Sequence, residues 1–193
     1  MDLFTTYIQT DKDEKLADLM YNPSKKVLDE LPFSDEYKNG KTSFGHLNIW
    51  RKYENHFSPL YDFIVKNANE YCKKMQVTNI KEIIINDIWV SEMYKYGSHS
   101  LHNHTGFTHL SGSFYVHAEP NSSSIKFHRH EHGSDTLSNL HFKDYDKYNS
   151  FIWRFAPEKG SLLIWKSDLP HEVELNMSDS RITISFNLTV NCK

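Results

Sequence analysis

The chain has 193 residues, a formal net charge of −3 and 38% hydrophobic residues. That length suits a single domain over residues 1–193 with an ordinary buried core, and the mild acidity excludes the basic face of a nucleic-acid binder. No stretch approaches the ~20 apolar residues of a membrane span, and the start MDLFTTYIQTDKDEK has no apolar run of signal-peptide type. Cys72 and Cys192 match no CxxC spacing, which reads as two reduced thiols in a cytoplasmic protein. Two excesses stand out: aromatics, with 12 Phe, 11 Tyr and 4 Trp, and twelve histidines, most of them between His99 and His171.

Residues 1–78 read as a helical support region. Asp11-Lys12-Asp13-Glu14 marks a helix start, with acids in the first turn where the helix dipole favours them. Pro23-Ser24 reads as the opening of a second short helix that Leu31-Pro32-Phe33 ends. From about Asn55 to Met75, Leu60, Phe63, Ile64, Ala68, Tyr71 and Cys72 recur at three- and four-residue spacings, the stripe of a helix packed on a sheet. Ser58 as N-cap and Pro59 in the first helical position suit its start.

Residues 79–193 read as a β core. Lys81 to Tyr96 alternates and is rich in β-branched and aromatic residues; Gly97-Ser98 reads as a turn. Further strands follow at 100–104, 110–117, 124–129, 152–155, 161–165, 172–175 and 181–190, divided by turn signals such as Thr105-Gly106 and Glu119-Pro120-Asn121. Short strands so spaced predict an all-β core with flanking N-terminal helices, in the form of a double-stranded β-helix, the cupin-like jelly roll. The polar span from His130 to Ser150 reads as a loop with a short helix, long enough to be a lid.

His102 and His104 are two apart, so on a strand both rings face one point. His171 ends a later apolar strand and can complete a facial set of three ligands. Imidazole suits iron, zinc, copper or nickel, and open positions with a carboxylate co-substrate favour Fe(II). Arg181 stands ten residues beyond His171, with Thr183 on the same strand face. A guanidinium fork binds a carboxylate bidentately and a hydroxyl adds a further bond.

This pattern resembles the Fe(II)/2-oxoglutarate-dependent oxygenase superfamily, in which an HxD or HxE pair and a distal His hold iron. An Arg about ten residues on, often in RxS or RxT, grips the far carboxylate of 2-oxoglutarate there. Trp89, His102-Asn-His104, Ser111-Gly112-Ser113-Phe114-Tyr115, Gly160, Pro170-His171 and the run from Arg181 to Asn187 are similar to a small branch common in phages and marine bacteria, with HxH, SGxYY and R-x-S motifs. The likeness covers roughly residues 80–190. It implies Fe(II), 2-oxoglutarate as co-substrate and O2. It also implies hydroxylation of a protein side chain (a peptidyl proline being the family-level expectation) or of a small molecule, in the cytoplasm, or in a host's cytoplasm if phage-encoded. Arg181 and Thr183 would hold the co-substrate, with Tyr115 and Asn187 bonding to it or, for Asn187, to metal-bound water. Asn86 and Trp89 lie on the strand leading in, Trp89 as packing.

One departure matters: His104 stands where the family carries its carboxylate. Three readings follow. His104 completes an all-imidazole triad; or His102 and His171 bind iron with water in the third position, which would also admit halide and halogenation; or the iron lies elsewhere. His128, His130 and His132 could share a strand face as a zinc site, but read better as a polar strand end near the pocket mouth. His99, His109, His117 and His141 read as surface or outer residues, His109 nearest the site. The rivals are a cupin-like three-histidine metalloenzyme without 2-oxoglutarate, which needs no Arg181, and a non-enzymatic ligand-binding jelly roll. The motifs specify neither the substrate nor the oligomeric state.

Overall fold

The computed structural model describes residues 6–34, 38–106, 108–129, 141–147 and 149–193. Among these residues nine strands pair, all antiparallel, in the order β1-β7-β4-β9-β3-β8-β5-β6, with β2 added beside β3. They are β1 (Gln9–Lys12), β2 (Lys38–Thr42), β3 (Ile80–His102), β4 (Leu110–Ala118), β5 (Ile125–His128), β6 (Ile152–Phe155), β7 (Ser161–Lys166), β8 (His171–Val173) and β9 (Arg181–Cys192). The long β3 belongs to both halves. Up to Met93 it pairs with β9 in a major sheet, and from His99 to His102 it pairs with β8 in a minor one that β5 and β6 complete. The two inner faces meet through Tyr115, Leu163 and Trp165 of the major sheet and Ile125 and Phe127 of the minor one. This is the expected double-stranded β-helix.

Alternation along β9 sorts the core. Ile182, Ile184, Phe186 and Leu188 face outward into a cluster with three helices: α1 (Glu14–Asp29), α2 (Leu47–Tyr53) and α3 (Ser58–Lys74). Arg181, Thr183, Ser185 and Asn187 take the opposite, inner face. An inner face of short polar side chains cannot fill its own volume, which leaves room for a cavity. The helical layer is also tied by charge: Glu92, 2% exposed, accepts from Lys25 of α1 at 3.1 Å, Tyr94 at 2.9 Å and Ser180 at 2.8 Å.

Several local expectations change. Asp13 does cap α1, its side chain accepting from the Leu16 amide at 2.9 Å. However, Pro23 lies inside that helix rather than opening another. Leu16, Ala17 and Met20 before it and Val27 and Leu28 after it enter one core, and their burial outweighs the proline's local cost. Helix α3 is as expected in extent, but Phe57 is its N-cap and no side chain caps it; Ser58 is already helical. The N-terminal region is not only helical, since β1 pairs with β7 and β2 with β3. Gly97 is no turn: β3 runs through it. A Cβ there would stand 2.6 Å from Met93 Cγ and 2.7 Å from the Lys38 carbonyl oxygen, so the glycine admits β2 at close range. The expected lid falls partly on residues 130–140 and 148, outside the described residues; 141–147 and 149–150 carry turns and bends but no strand.

Gly112 of β4 gives a stability test. A Cβ there would meet the fully buried Phe186 ring at 2.3 Å and the Leu163 carbonyl oxygen at 2.7 Å. Gly112→Ala should cost about 1–3 kcal/mol, the usual penalty of overpacking, read as a lower urea midpoint with unchanged slope. An unshifted midpoint would mean the ring can move aside.

Candidate active site

His102 ends β3 and His171 opens β8, and the two are direct cross-strand partners. Their ring centroids are 4.3 Å apart. His104 lies just past the strand, held by its amide donating to the Ser167 carbonyl at 2.8 Å, while the Asn103 amide group donates to the Asp168 carbonyl at 3.3 Å. Ligand-capable nitrogens of His102, His104 and His171 all lie within 4.8 Å of one another, the one such group of three among the described residues.

Two of the rings are oriented by backbone. His102 Nδ1 donates to the Ser100 carbonyl at 2.7 Å and His171 Nδ1 to the Leu169 carbonyl at 2.8 Å. A nitrogen that donates to a carbonyl carries the proton, so both rings keep an Nε2 lone pair for a cation. His171 is 4% exposed and packs against Trp165 at 5.1 Å. Burial, assisted by His102 nearby, pushes His171 down to about 3 and His104 down to about 4. His99 is held down to about 4 by the same causes. Neutral imidazoles at ordinary pH are the form that binds metal.

The triad opens on a cavity of about 460 Å³ that Arg181, Thr183 and Ser185 also line. Arg181 is 4% exposed, its guanidinium carbon 5.0 Å from the Tyr115 ring centroid, and its Nε has no hydrogen-bond partner among the described residues. Tyr115 faces Thr183 across the β4–β9 ladder. Its hydroxyl is buried with no well-formed hydrogen bond among the described residues, and burial raises its pKa although the charge and close approach of the Arg181 guanidinium pull it back. A buried cation beside unsatisfied donors is costly unless an anion joins them. This corner therefore fits a carboxylate, and the three-imidazole corner fits a divalent metal.

Not every expected residue enters the cavity. Asn187 lies on the correct face, but its amide oxygen accepts from Ser111 Oγ at 2.8 Å and its nitrogen faces Asp87 at 3.5 Å; it is absent from the cavity lining. Trp89 does pack, its ring 6.1 Å from that of His104. Asn86 accepts from Thr189 on the surface. His128 follows the inward Phe127 and so points outward, bonded to Glu172 at 3.0 Å, while His130 and His132 lie outside the described residues. His109 Nδ1 accepts from the Val190 amide at 3.1 Å, His117 pairs with Glu119 at 3.6 Å, and His141 is exposed.

The sequence reading did not assign Phe44, Ser100, Ile125, Trp165 or Val173 to the cavity and set His99 at the surface or one layer out; all six line it. Phe44 comes from the N-terminal segment, 49% exposed yet set edge-on to Trp89 at 5.1 Å. Trp165 sits on the strand before His171, and that proximity was its only signal.

A family model described as 2OG-Fe(II) oxygenase matches residues 87–187. No curated protein sequence matches the chain. Among solved structures the fold is similar to AviO1 from Streptomyces viridochromogenes Tue57, at 11% identity and TM-score 0.64, over 96% of this chain and 90% of that one. It is similar to a prolyl-4-hydroxylase from Pseudomonas putida at 11% identity and TM-score 0.58, over 98% and 96%. An oxidoreductase of the 2OG-Fe(II) oxygenase family from Burkholderia pseudomallei is similar at 12% identity and TM-score 0.51; the match covers 69% of this chain and only 57% of that longer one. At these identities what is shared is the fold.

The lowered imidazole pKa values set a pH dependence. His99, His104 and His171 titrate below the ordinary 6.5 when folded. Below about pH 6.5 the unfolded chain therefore takes up protons that the folded chain refuses, and metal-free protein loses stability down towards about pH 3 to 4. Unfolding midpoints measured in chelator between about pH 4 and 8 should fall with acidity, and less steeply in His171→Gln. Equal slopes in the two proteins would contradict the assigned burial of that ring.

Proposed function

This chain belongs to the 2OG-Fe(II) oxygenase family, and from that premise we propose that its three clustered imidazoles hold the iron while Arg181 holds 2-oxoglutarate. The observation that carries the reading is a buried guanidinium without a partner for its Nε, lining the same cavity as three converging histidines. The convergence of His104 favours the all-imidazole triad over two histidines and a water. A cupin-like enzyme with no keto-acid co-substrate has no use for a buried Arg181.

Bound here, ferrous iron with 2-oxoglutarate and O2 supplies the oxidising power for hydroxylation, the co-substrate leaving as succinate and carbon dioxide. The protein's own part is orientation and exclusion of water. His102 and His171, fixed through Nδ1 by backbone carbonyls, would present Nε2 in a preset direction. Arg181 would take the distal carboxylate, its fork held by the Tyr115 ring beneath. The Thr183 and Tyr115 hydroxyls would donate to the same group. Asn187 would act at one remove, keeping Ser111 and β4 in register below the cavity floor.

We place substrate at the open mouth, where Phe44 offers an exposed aromatic face. The similar fold of a prolyl-4-hydroxylase supports a peptide substrate, a prolyl side chain being the first to try, with a small molecule as the alternative. No helix among the described residues is long and apolar enough to cross a membrane. The two free cysteines, one of them exposed, suit a reducing compartment such as the cytoplasm of a cell or of a phage's host.

Anaerobic titration with Fe(II) and then 2-oxoglutarate should raise a weak visible charge-transfer band, absent in His171→Ala, and admitting O2 should yield succinate. Arg181→Ala should weaken 2-oxoglutarate binding by about 2–5 kcal/mol, roughly 30-fold or more, with iron binding retained. Unchanged co-substrate affinity in that variant would end the carboxylate assignment.

A further inference from the structure

On a regular strand, residues three apart point to opposite faces. His99 and His102 are three apart on β3, so a regular β3 would turn one of them away from the cavity. The strand is not regular there. His99 stands opposite Val173 and His102 opposite His171, so three steps along β3 match two along β8. This bulge carries His99 onto the inner face, where its ring meets that of His102 edge to face at 4.2 Å and lines the cavity shared with Arg181. Bulges beside active sites commonly re-aim one side chain in this way.

His99 is not one of the converging ligands: the three nitrogens within 4.8 Å of one another belong to His102, His104 and His171. Nor is it needed to set the His102 tautomer, because the Ser100 carbonyl already takes that ring's Nδ1 proton. Its ring does line the cavity wall beside the metal corner, and an imidazole carries at least one N–H in either charge state. The groups that would share the metal with the triad, a water or the oxygens of a 2-keto acid, are acceptors.

We infer that His99 is a positioning residue of this centre, its ring donating a hydrogen bond to an oxygen of whatever ligand shares the metal with the three histidines. The inference rests on the three-histidine metal reading above, and it concerns the geometry of the bound ligand rather than retention of the metal.

The test uses the full chain with Co(II) alone, and with Fe(II) and 2-oxoglutarate under argon. His99→Phe keeps a flat ring and removes the donor; His99→Gln restores a donor; His99→Ala replaces the Phe arm if the larger ring is not tolerated. Co(II) affinity should stay within about threefold of wild type in all three. 2-Oxoglutarate affinity should fall about 10- to 100-fold in the Phe or Ala variant, as for loss of one hydrogen bond to a charged group. The charge-transfer band should shift in that variant and return towards its wild-type position with Gln. An unshifted band and unchanged affinity would overturn the inference and leave His99 a spacer against His102. Loss of Co(II) binding comparable to that of His171→Ala would overturn it by making His99 a ligand. A wild-type protein that binds neither Co(II) nor Fe(II) would instead sink the three-histidine reading, and this inference with it.

Discussion

The site depends on a positive charge that the fold buries without giving it an opposite charge in the cavity. Arg181 begins β9 at 4% exposure, against an aromatic ring rather than a carboxylate, with Nε unpartnered. In the proposed function a carboxylate from outside the chain would complete it. The triad adds nitrogen donors: His102 and His171 each commit Nδ1 to a backbone carbonyl, which turns Nε2 towards the metal corner as proposed. With no acid among the three, a divalent cation there would keep its full charge. Cation and guanidinium together would then favour a dianion over a monoanion by Coulomb attraction.

The strands achieve this by dividing labour between their two faces. The outer face of the major sheet is apolar and sealed by helices, and it carries the stability. The inner face of β9 carries Arg181, Thr183, Ser185 and Asn187, which would be poor core but make a floor for a polar ligand. Because β3 spans both sheets, the strand that supports Arg181 through Met93 is also the one that ends in His102. The two ends of the proposed ligand are thus fixed by a single element, and its length sets their separation.

What could be read from the residues is what depends on short spacing. Arg181 and Thr183 two apart and the three-four stripe of α3 each follow from the period of one element; His104 joins His102 from just beyond the end of β3, held by Ser167 rather than by strand alternation. What could not be read depends on partners distant in sequence. Pro23 resembles a helix start until Met20 and Val27 are seen to share one core. Gly97 resembles a turn until β2 is seen lying against it. His99 has the wrong parity for the cavity, and only the pairing with β8 reveals the bulge that corrects it. Asn187 has the right parity, but Ser111 and Asp87 reach it first.

Tyr115 has a wall on each side. Arg181 rests on its ring, and beyond it a second hollow of about 330 Å³ is lined by Tyr115 with Asp11, Lys12 and Glu158. The phenol ring thus stands between the guanidinium and that second hollow. With Arg181 gripping the far carboxylate as proposed, the ring behind it would bound how far a keto acid can extend from the metal. Shortening that side chain would remove the support under Arg181, and the choice among dicarboxylates of different length would then rest on the guanidinium alone.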